Sequence, residues 1–448
     1  MLIIQNLSME ILVLAVVVLF IIIATVKFKM HPIFSLTLAA VASGFMLGLS
    51  PKEIMSTIGE GFGKTLSGIG LVIAFGTVIG IYLEKTGSTQ VLANSILKLI
   101  GLKRSPLAIN LAGYVISIPV FCDSGFIILS SLNKAISKRT GIPLLVFAIS
   151  LATGLYAAHV FVPPTPGPLA AAAILEADLG LVLLLGLAVS IPVSLTGYFW
   201  ARVIGKSLVE EKASTEETLE REEVGTSITP VQAFLPLLVP IVLIAMKSVV
   251  NYPTFPLGKT WAFHFFDFLG NPIIALLIGV FFAFMLGRKT PSKEKEGWVA
   301  EAFKQAGSIV LITGAGGAFG AILRTIDIAS LINLESSSGI GGLLIAFVIA
   351  SVLKTAQGSS TVAIITTSAI IAPLLETFGL LSITDKALAV LSVGAGAMTV
   401  SHINDSYFWV VSQFSNMNVK TSLRGHTLGT LLQGVVGISI ILLLYLIL

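Results

Sequence analysis

Two stretches decide how this chain folds: Ile118-Pro-Val-Phe-Cys-Asp-Ser-Gly-Phe126 and Lys354-Thr-Ala-Gln-Gly-Ser-Ser-Thr361. Each is a short polar interruption inside an apolar block, the first within 105–137 and the second within 339–375. Each block is long enough for two short membrane segments. Irregular backbone facing lipid would leave peptide groups unpaired, so such interruptions occur only where protein or a water-filled cavity surrounds them. Both blocks therefore read as re-entrant hairpins with polar tips.

The surrounding sequence demands a bilayer. Of 448 residues, 55% are apolar and 11% charged, with a mean hydropathy of +0.98. A soluble chain of this size would need more polar residues to cover its surface. Apolar runs of about 18 residues or more recur from end to end, enough to cross roughly 30 Å of hydrocarbon. Spans are expected at 9–26, 32–50, 61–84, 142–175 and 179–203, then again at 230–250, 268–288, 301–325, 385–416 and 426–448. The first run lacks a basic flank and a small-residue cleavage site, and reads as a retained span rather than a signal peptide. Glu210 to Ser227 is a polar, charge-rich linker between the halves. The lone cysteine, Cys122, leaves no intrachain disulfide framework or multi-cysteine metal site. The net charge of +4 reads as loop orientation, with no call for a nucleic-acid partner.

The halves repeat one order of elements, giving domains at 1–204 and 230–448 joined by a cytoplasmic linker at 205–229. If each hairpin returns to the side it left, each half crosses the membrane five times. An odd number inverts the second half relative to the first. Alternating loops then put most of the 27 Lys and Arg on one side, among them Lys85, Lys98, Lys134, Arg202, Arg288, Lys304 and Lys420. The positive-inside rule makes that side cytoplasmic, so both termini face outward. Glu60-Gly-Phe62 with Gly80-x-x-Leu83 is echoed by Glu301-Ala-Phe303 with Gly320-x-x-Leu323. The glycines crowded into these spans suit close helix packing. The expected fold is an all-α polytopic membrane protein of two inverted repeats, each with five spans and one hairpin.

Four polar clusters fall at membrane depth. Two are the hairpin tips; the others interrupt 142–175 and 385–416. His159-Val-Phe-Val-Pro-Pro-Thr-Pro-Gly-Pro168 cannot be continuous helix, because four prolines in six positions remove donors and clash with preceding carbonyls. Ser401-His-Ile-Asn-Asp-Ser406 is the matching break in the second half. Unwound backbone and helix ends there offer N–H groups to a carboxylate and carbonyls to a cation. Asp123 and Asp405 are acids that the membrane makes expensive, which marks a pathway, a partner or a proton carrier. Lys354 is the basic residue that no loop accommodates. It either holds an anionic substrate or forms a buried ion pair with Asp405 or Asp123. His159 and His402 occupy corresponding positions and can relay a proton or serve as hydrogen-bonded structural groups. No Walker loop and no His-Glu-x-x-His pattern is present, so neither ATP-driven transport by this chain nor zinc chemistry is expected.

At Pro119–Phe126, Lys354–Ala363 and Ser401–Trp409 the sequence resembles the gluconate permease family of proton symporters. The resemblance runs through most of the chain. It implies proton-coupled uptake of gluconate, a related sugar acid or D-serine across the bacterial inner membrane, without a cofactor. It is similar also to the wider ion-transporter superfamily, which implies a homodimer in lipid and an elevator-type movement. The binding site would then lie between the hairpin tips and the broken helices. Asp123, Ser124, Gly125, Thr165, Lys354, Gln357, Gly358, Ser359, Ser360, Thr361 and Asn404 are the expected substrate contacts. Asp123, Asp405, His159 and His402 are the expected proton-coupling groups. The first tip departs from the family in its Cys122-Asp-Ser-Gly125 sequence, which bears on substrate choice. Sodium coupling on the same fold, and an uncoupled anion channel or exchanger, are the alternatives to proton symport.

Overall fold

Most helices begin where the sequence supplies a cap or a proline. A computed structural model describes scattered residues between 13 and 24, then 27–207, 228–251, 260–325, 339–403 and 405–448. Much of the expected first span, most of the linker and Asn404 lie outside the described residues. Helix α1 (Pro32–Met46) starts at proline after His31, whose ring accepts from the Ile33 N–H. Helix α2 (Pro51–Lys85) starts about ten residues before the expected span because Ser50 and Glu53 form a reciprocal capping box. The amphipathic α3 (Ser88–Ile100) follows, in a stretch read from sequence as a cytoplasmic loop.

The first expected hairpin is two helices, α4 (Ser105–Ile116) and α5 (Cys122–Thr140), with a break at 117–121. The long span at 142–175 likewise divides into α6 (Leu144–Phe161) and α7 (Pro166–Ile174) at the prolines. Helix α8 (Leu179–Ser207) closes the first half. The second half runs α9 (Pro230–Val250), α10 (Trp261–Leu269), α11 (Pro272–Leu286) and α12 (Ser292–Leu323). The second hairpin block is α13 (Gly339–Gln357) and α14 (Ser360–Ile371), and the second broken span is α15 (Ile383–Met398) and α16 (Ser406–Phe414). A short α17 (Val419–Ser422) and a π-turn at 423–427 lead into α18 (Leu428–Ile447). Among the described residues there is no strand. Among those residues, six helices, or eight if each of two bent pairs is one span, are long and apolar enough to cross a membrane.

Helices α2 and α12 pack antiparallel through small residues. A side chain at Gly61 would run into Gly317 and Ala321, and one at Gly317 into Gly61 and Thr65. At the other end Lys85 pairs with Glu301 at 2.9 Å. Glycine permits this approach because backbone, not side chain, forms the contact surface. Helix α1 lies against α12, and α11 lies against α2.

The other helices pack in matching pairs: α4 on α6 as α13 on α15, and α6 on α8 as α15 on α18. Gly154 sits on the Asn110 carbonyl as Gly396 sits on that of Phe347. Two contacts join the halves reciprocally, α5 with α16 and α7 with α14. Each pairs the second arm of one interrupted block with the second part of the other half's broken span. The four helices that start at the four breaks are thereby joined two by two.

Candidate substrate and proton site

The break at 399–405 and the end of α13 build a buried charge pair. Lys354 is carried in the last turn of α13, where Gly358 turns the chain with φ +82°. That turn aims the Gly358 carbonyl back at the Lys354 ammonium, which donates to it and to the Asp405 carboxylate. The two side chains are 1% and 6% exposed. An ammonium and a carboxylate removed from water this far must neutralise each other. Of the two partners open to Lys354 from sequence, the structure selects Asp405.

Asp405 is held on both oxygens. Its Oδ1 caps α16 by accepting from the Tyr407 N–H at 3.1 Å. Its Oδ2 accepts from the Ser401 hydroxyl as well as from Lys354. Tyr156 places its ring 5.8 Å from the ammonium and donates its hydroxyl to the Ala397 carbonyl at 3.3 Å. Tyr407 lies 5.4 Å from Tyr156, ring centre to ring centre, and donates to the Ala152 carbonyl. These aromatic walls exclude water and supply a negative ring face to the cation.

Asp123 reaches the same centre from the first half. It stands in the first turn of α5 and accepts from the Ser406 hydroxyl at 3.2 Å. It has no cation directly bonded among the described residues, in contrast to Asp405. Helices α5 and α7 start without a side-chain cap on Phe121 and Thr165; the first-turn N–H groups of α5 are open to an anion, whereas α7 offers only that of Gly167, because Pro166 and Pro168 have none. Ser359 and Asp405 cap the other two.

The remaining expected residues divide. Ser360 hydrogen-bonds Tyr156 and so belongs to the centre. Ser359, Thr361 and Gln357 lie beside it on the second tip. Ser124 hydrogen-bonds Glu84 on α2, and Gly125 packs against Leu155. Thr165 donates its hydroxyl to the Val162 carbonyl, a local bond that shapes the proline break. His159 is buried and stacked 6.5 Å from Tyr156, and His402 contacts the Thr355 carbonyl at 2.9 Å. Tyr156, Tyr407 and His426 were not singled out from sequence. Tyr156 was within reach, since Tyr156-x-x-His159 puts both rings on one helix face.

A cavity of about 730 Å³ opens elsewhere, between α2, α12 and α7. Lys64 and Arg324 reach Glu176 across it at 2.7 and 3.2 Å. The Lys64 hydrogen bond, with the Arg324 and Lys386 charges, holds the Glu176 carboxyl below the ordinary carboxylate range. None of Asp123, Lys354 and Asp405 lines this cavity. Its walls are otherwise largely apolar and rich in glycine, and its charged cluster is separate from the Lys354–Asp405 pair at the breaks.

A polytopic helical membrane protein whose interrupted helices bring charged groups together inside the bundle is built as a transporter. The chain matches the family model described as GntP family permease over residues 9–447 and belongs to that family. It is 32% identical to the gluconate permease of Pseudomonas aeruginosa, with 94% of each chain covered. It is also 32% identical to the D-serine transporter DsdX of Escherichia coli K12, again over 94% of each. Among solved structures it is similar to Neisseria gonorrhoeae MtrF, titled as one of a class of antimetabolite efflux pumps. The TM-score is 0.62 at 15% identity, covering 87% of this chain and 83% of that one. The chain is accordingly an integral membrane transport protein and not an enzyme.

Proposed function

We propose that this protein imports gluconate or a related small hydroxy-carboxylate across the bacterial inner membrane together with a proton. The observation that carries the reading is the Lys354–Asp405 pair, buried where the second tip meets the second break. An arriving carboxylate competes with Asp405 for the one ammonium. Asp405, deprived of its counter-charge in a dry site, takes up a proton. Anion binding and proton uptake are then linked through a single lysine. Ser359, Ser360 and Thr361 stand ready for the substrate's hydroxyls, the open start of α5 for its anionic charge, and Asp123 is the second acid.

The same reading takes the chain as two inverted repeats, 1–204 and 230–448, with hairpins at 105–137 and 339–375 and both termini outside. The reciprocal contacts of α5 with α16 and of α7 with α14 support it. The α2–α12 pair would serve as a fixed frame against which the remaining helices slide, in a homodimer. D-Serine is the second substrate reading, supported by the name of one relative and by the carboxylate it shares with gluconate.

The test is uptake of radiolabelled gluconate into proteoliposomes under an inward proton gradient, with glycerate and D-serine as competitors. Concentrative uptake abolished by a protonophore is expected. Accumulation driven by sodium alone would transfer the coupling to that ion, and equilibration without accumulation would make the protein an uncoupled exchanger or channel.

A further inference from the structure

His426 is fully buried on the π-turn between α17 and α18, and neither the substrate nor the coupling reading uses it. Its Nε2 lies 3.0 Å from the Ser401 hydroxyl. That hydroxyl in turn contacts Asp405. Three side chains thus form a continuous chain from the Lys354 partner to the imidazole. Its Nδ1 is buried with no hydrogen-bond partner among the described residues. A π-turn inside a helix is costly and is found mostly at functional positions.

We propose that His426, through Ser401, is the route by which Asp405 discharges its proton towards the cytoplasm. The inference rests on the proton-coupled reading above. Ser401 is fitted to transmit. Its N–H donates to Thr430 Oγ1 at 3.1 Å and its carbonyl accepts from the Thr427 hydroxyl, so its backbone is fixed and only the hydroxyl can change partners. In the discharged state Ser401 donates its single proton to Asp405, which obliges His426 to donate from Nε2 and leaves Nδ1 bare. The heavy-atom contacts and the unpartnered Nδ1 fit this arrangement.

In the loaded state the chain is reversed. Asp405 carries the proton and donates to Ser401 Oγ, Ser401 donates to a bare Nε2, and the hydrogen sits on Nδ1. Discharge moves one proton along each bond: Asp405 to Ser401, Ser401 to Nε2, and Nδ1 to water that reaches the ring when the site opens towards the cytoplasm. One proton enters at the carboxyl and one leaves at Nδ1. Asp405 and Lys354 are the charges that act on the ring. The Tyr407 and Phe408 rings pack on it at 5.3 and 6.3 Å. From α6 and α8, Ile149 and Trp200 close on the neighbouring Gly425, and Arg424 on the same turn is exposed.

The test uses the full-length protein in proteoliposomes with radiolabelled gluconate. His426→Gln keeps a donor near Nε2 but cannot relay, His426→Asn shortens it, and Ser401→Ala cuts the chain. Gradient-driven accumulation is expected to slow by about 100-fold in all three, the scale of a lost positioned acid–base group. Exchange of internal for external gluconate at equal pH should persist in His426→Gln, and its pH profile should flatten. Accumulation at the wild-type rate in His426→Gln would overturn the relay. So would parallel loss of accumulation and exchange in His426→Gln and His426→Asn protein that remains folded, because a structural role predicts that pattern. Wild-type protein that never accumulates gluconate under the proton gradient would instead remove the coupling reading, and the relay with it.

Discussion

Removing one partner of the Lys354–Asp405 pair should cost far more than removing both. The side chains are 1% and 6% exposed, so neither charge can turn to water once its partner is gone. Breaking a buried pair from one side costs about 3–5 kcal/mol, whereas replacing both members with groups of similar shape is often near neutral. The two singles should differ. Lys354→Met leaves Asp405 with the Ser401 hydroxyl, the Tyr407 N–H and the option of protonation, and falls at the low end. Asp405→Asn leaves Lys354 with one carbonyl and the face of Tyr156, and falls at the high end. The double variant should recover to within about 1 kcal/mol of wild type, giving a coupling term of several kcal/mol in the cycle. Reversible denaturation of the purified protein in detergent micelles measures all four corners. Singles that each cost under about 1 kcal/mol, or a double equal to the sum of the singles, would refute the claim that the two charges depend on each other. The recovered double should still fail to transport, since it retains neither the anion's counter-charge nor the proton's carrier.

Three further outcomes follow from the same geometry. Gly317→Leu should cost at least about 3 kcal/mol, because its side chain meets Thr65 and the Gly61 backbone, whereas Gly59→Ala, which meets nothing, should be near neutral; monodisperse yield from size exclusion would tell them apart, and equal yields would reject the close α2–α12 contact. Glu176→Gln should cost about 0.2–1 kcal/mol at pH 7, the worth of an exposed pair. Because the Glu176 carboxyl is held below its ordinary value, that contribution is present above the ordinary carboxylate range and is lost as pH falls through the lowered value, so a wild-type-to-variant difference that stays constant down to about pH 3 would count against it. A monoanion that enters with one proton leaves the net charge of the site unchanged, so an imposed membrane potential without a pH gradient should leave gluconate uptake at background; accumulation driven by potential alone would reject that stoichiometry.

The fold was legible wherever one strong local signal ruled. The prolines at 163, 164, 166 and 168 placed the break between α6 and α7, and the polar run from Ser401 placed its counterpart. Helix starts were less legible. The α2 start depends on Ser50 and Glu53, a capping signal that a hydropathy window passes over. Helices α3 and α10 were missed for other reasons: α3 is amphipathic, and α10 is a nine-residue apolar helix too short to read as a span. In the site, the acids and the lysine stood out because the membrane makes charge expensive. Their pairing was legible only as one option, with Asp405 and Asp123 both open, because Lys354 and Asp405 are 51 residues apart and meet only through tertiary packing. His426 was invisible for a related reason. It stands at the very start of the expected span at 426–448, two residues after Arg424, and only the π-turn carries it into the interior.

The single lysine also explains why a carrier built this way need not leak. On the proposed reading, with Asp123 unchanged throughout and left out of the count, the empty site holds one ammonium and one carboxylate, and the fully loaded site holds one ammonium, one substrate carboxylate and one neutral acid. Both carry the same charge. A site with substrate but no proton holds two carboxylates against one ammonium. At an effective dielectric of about 20, two like charges some 5 Å apart repel by about 3 kcal/mol, which lowers the population of that state by more than 100-fold. A site with a proton but no substrate leaves Lys354 buried without a counter-ion, which costs a similar amount. The two half-loaded states are the ones whose movement would dissipate the gradient, and they are the ones the buried pair penalises. Placing the counter-charge on one residue, walled by Tyr156 and Tyr407 and remote from the glycine-lined cavity, makes strict coupling a consequence of desolvation and removes the need for a separate gate.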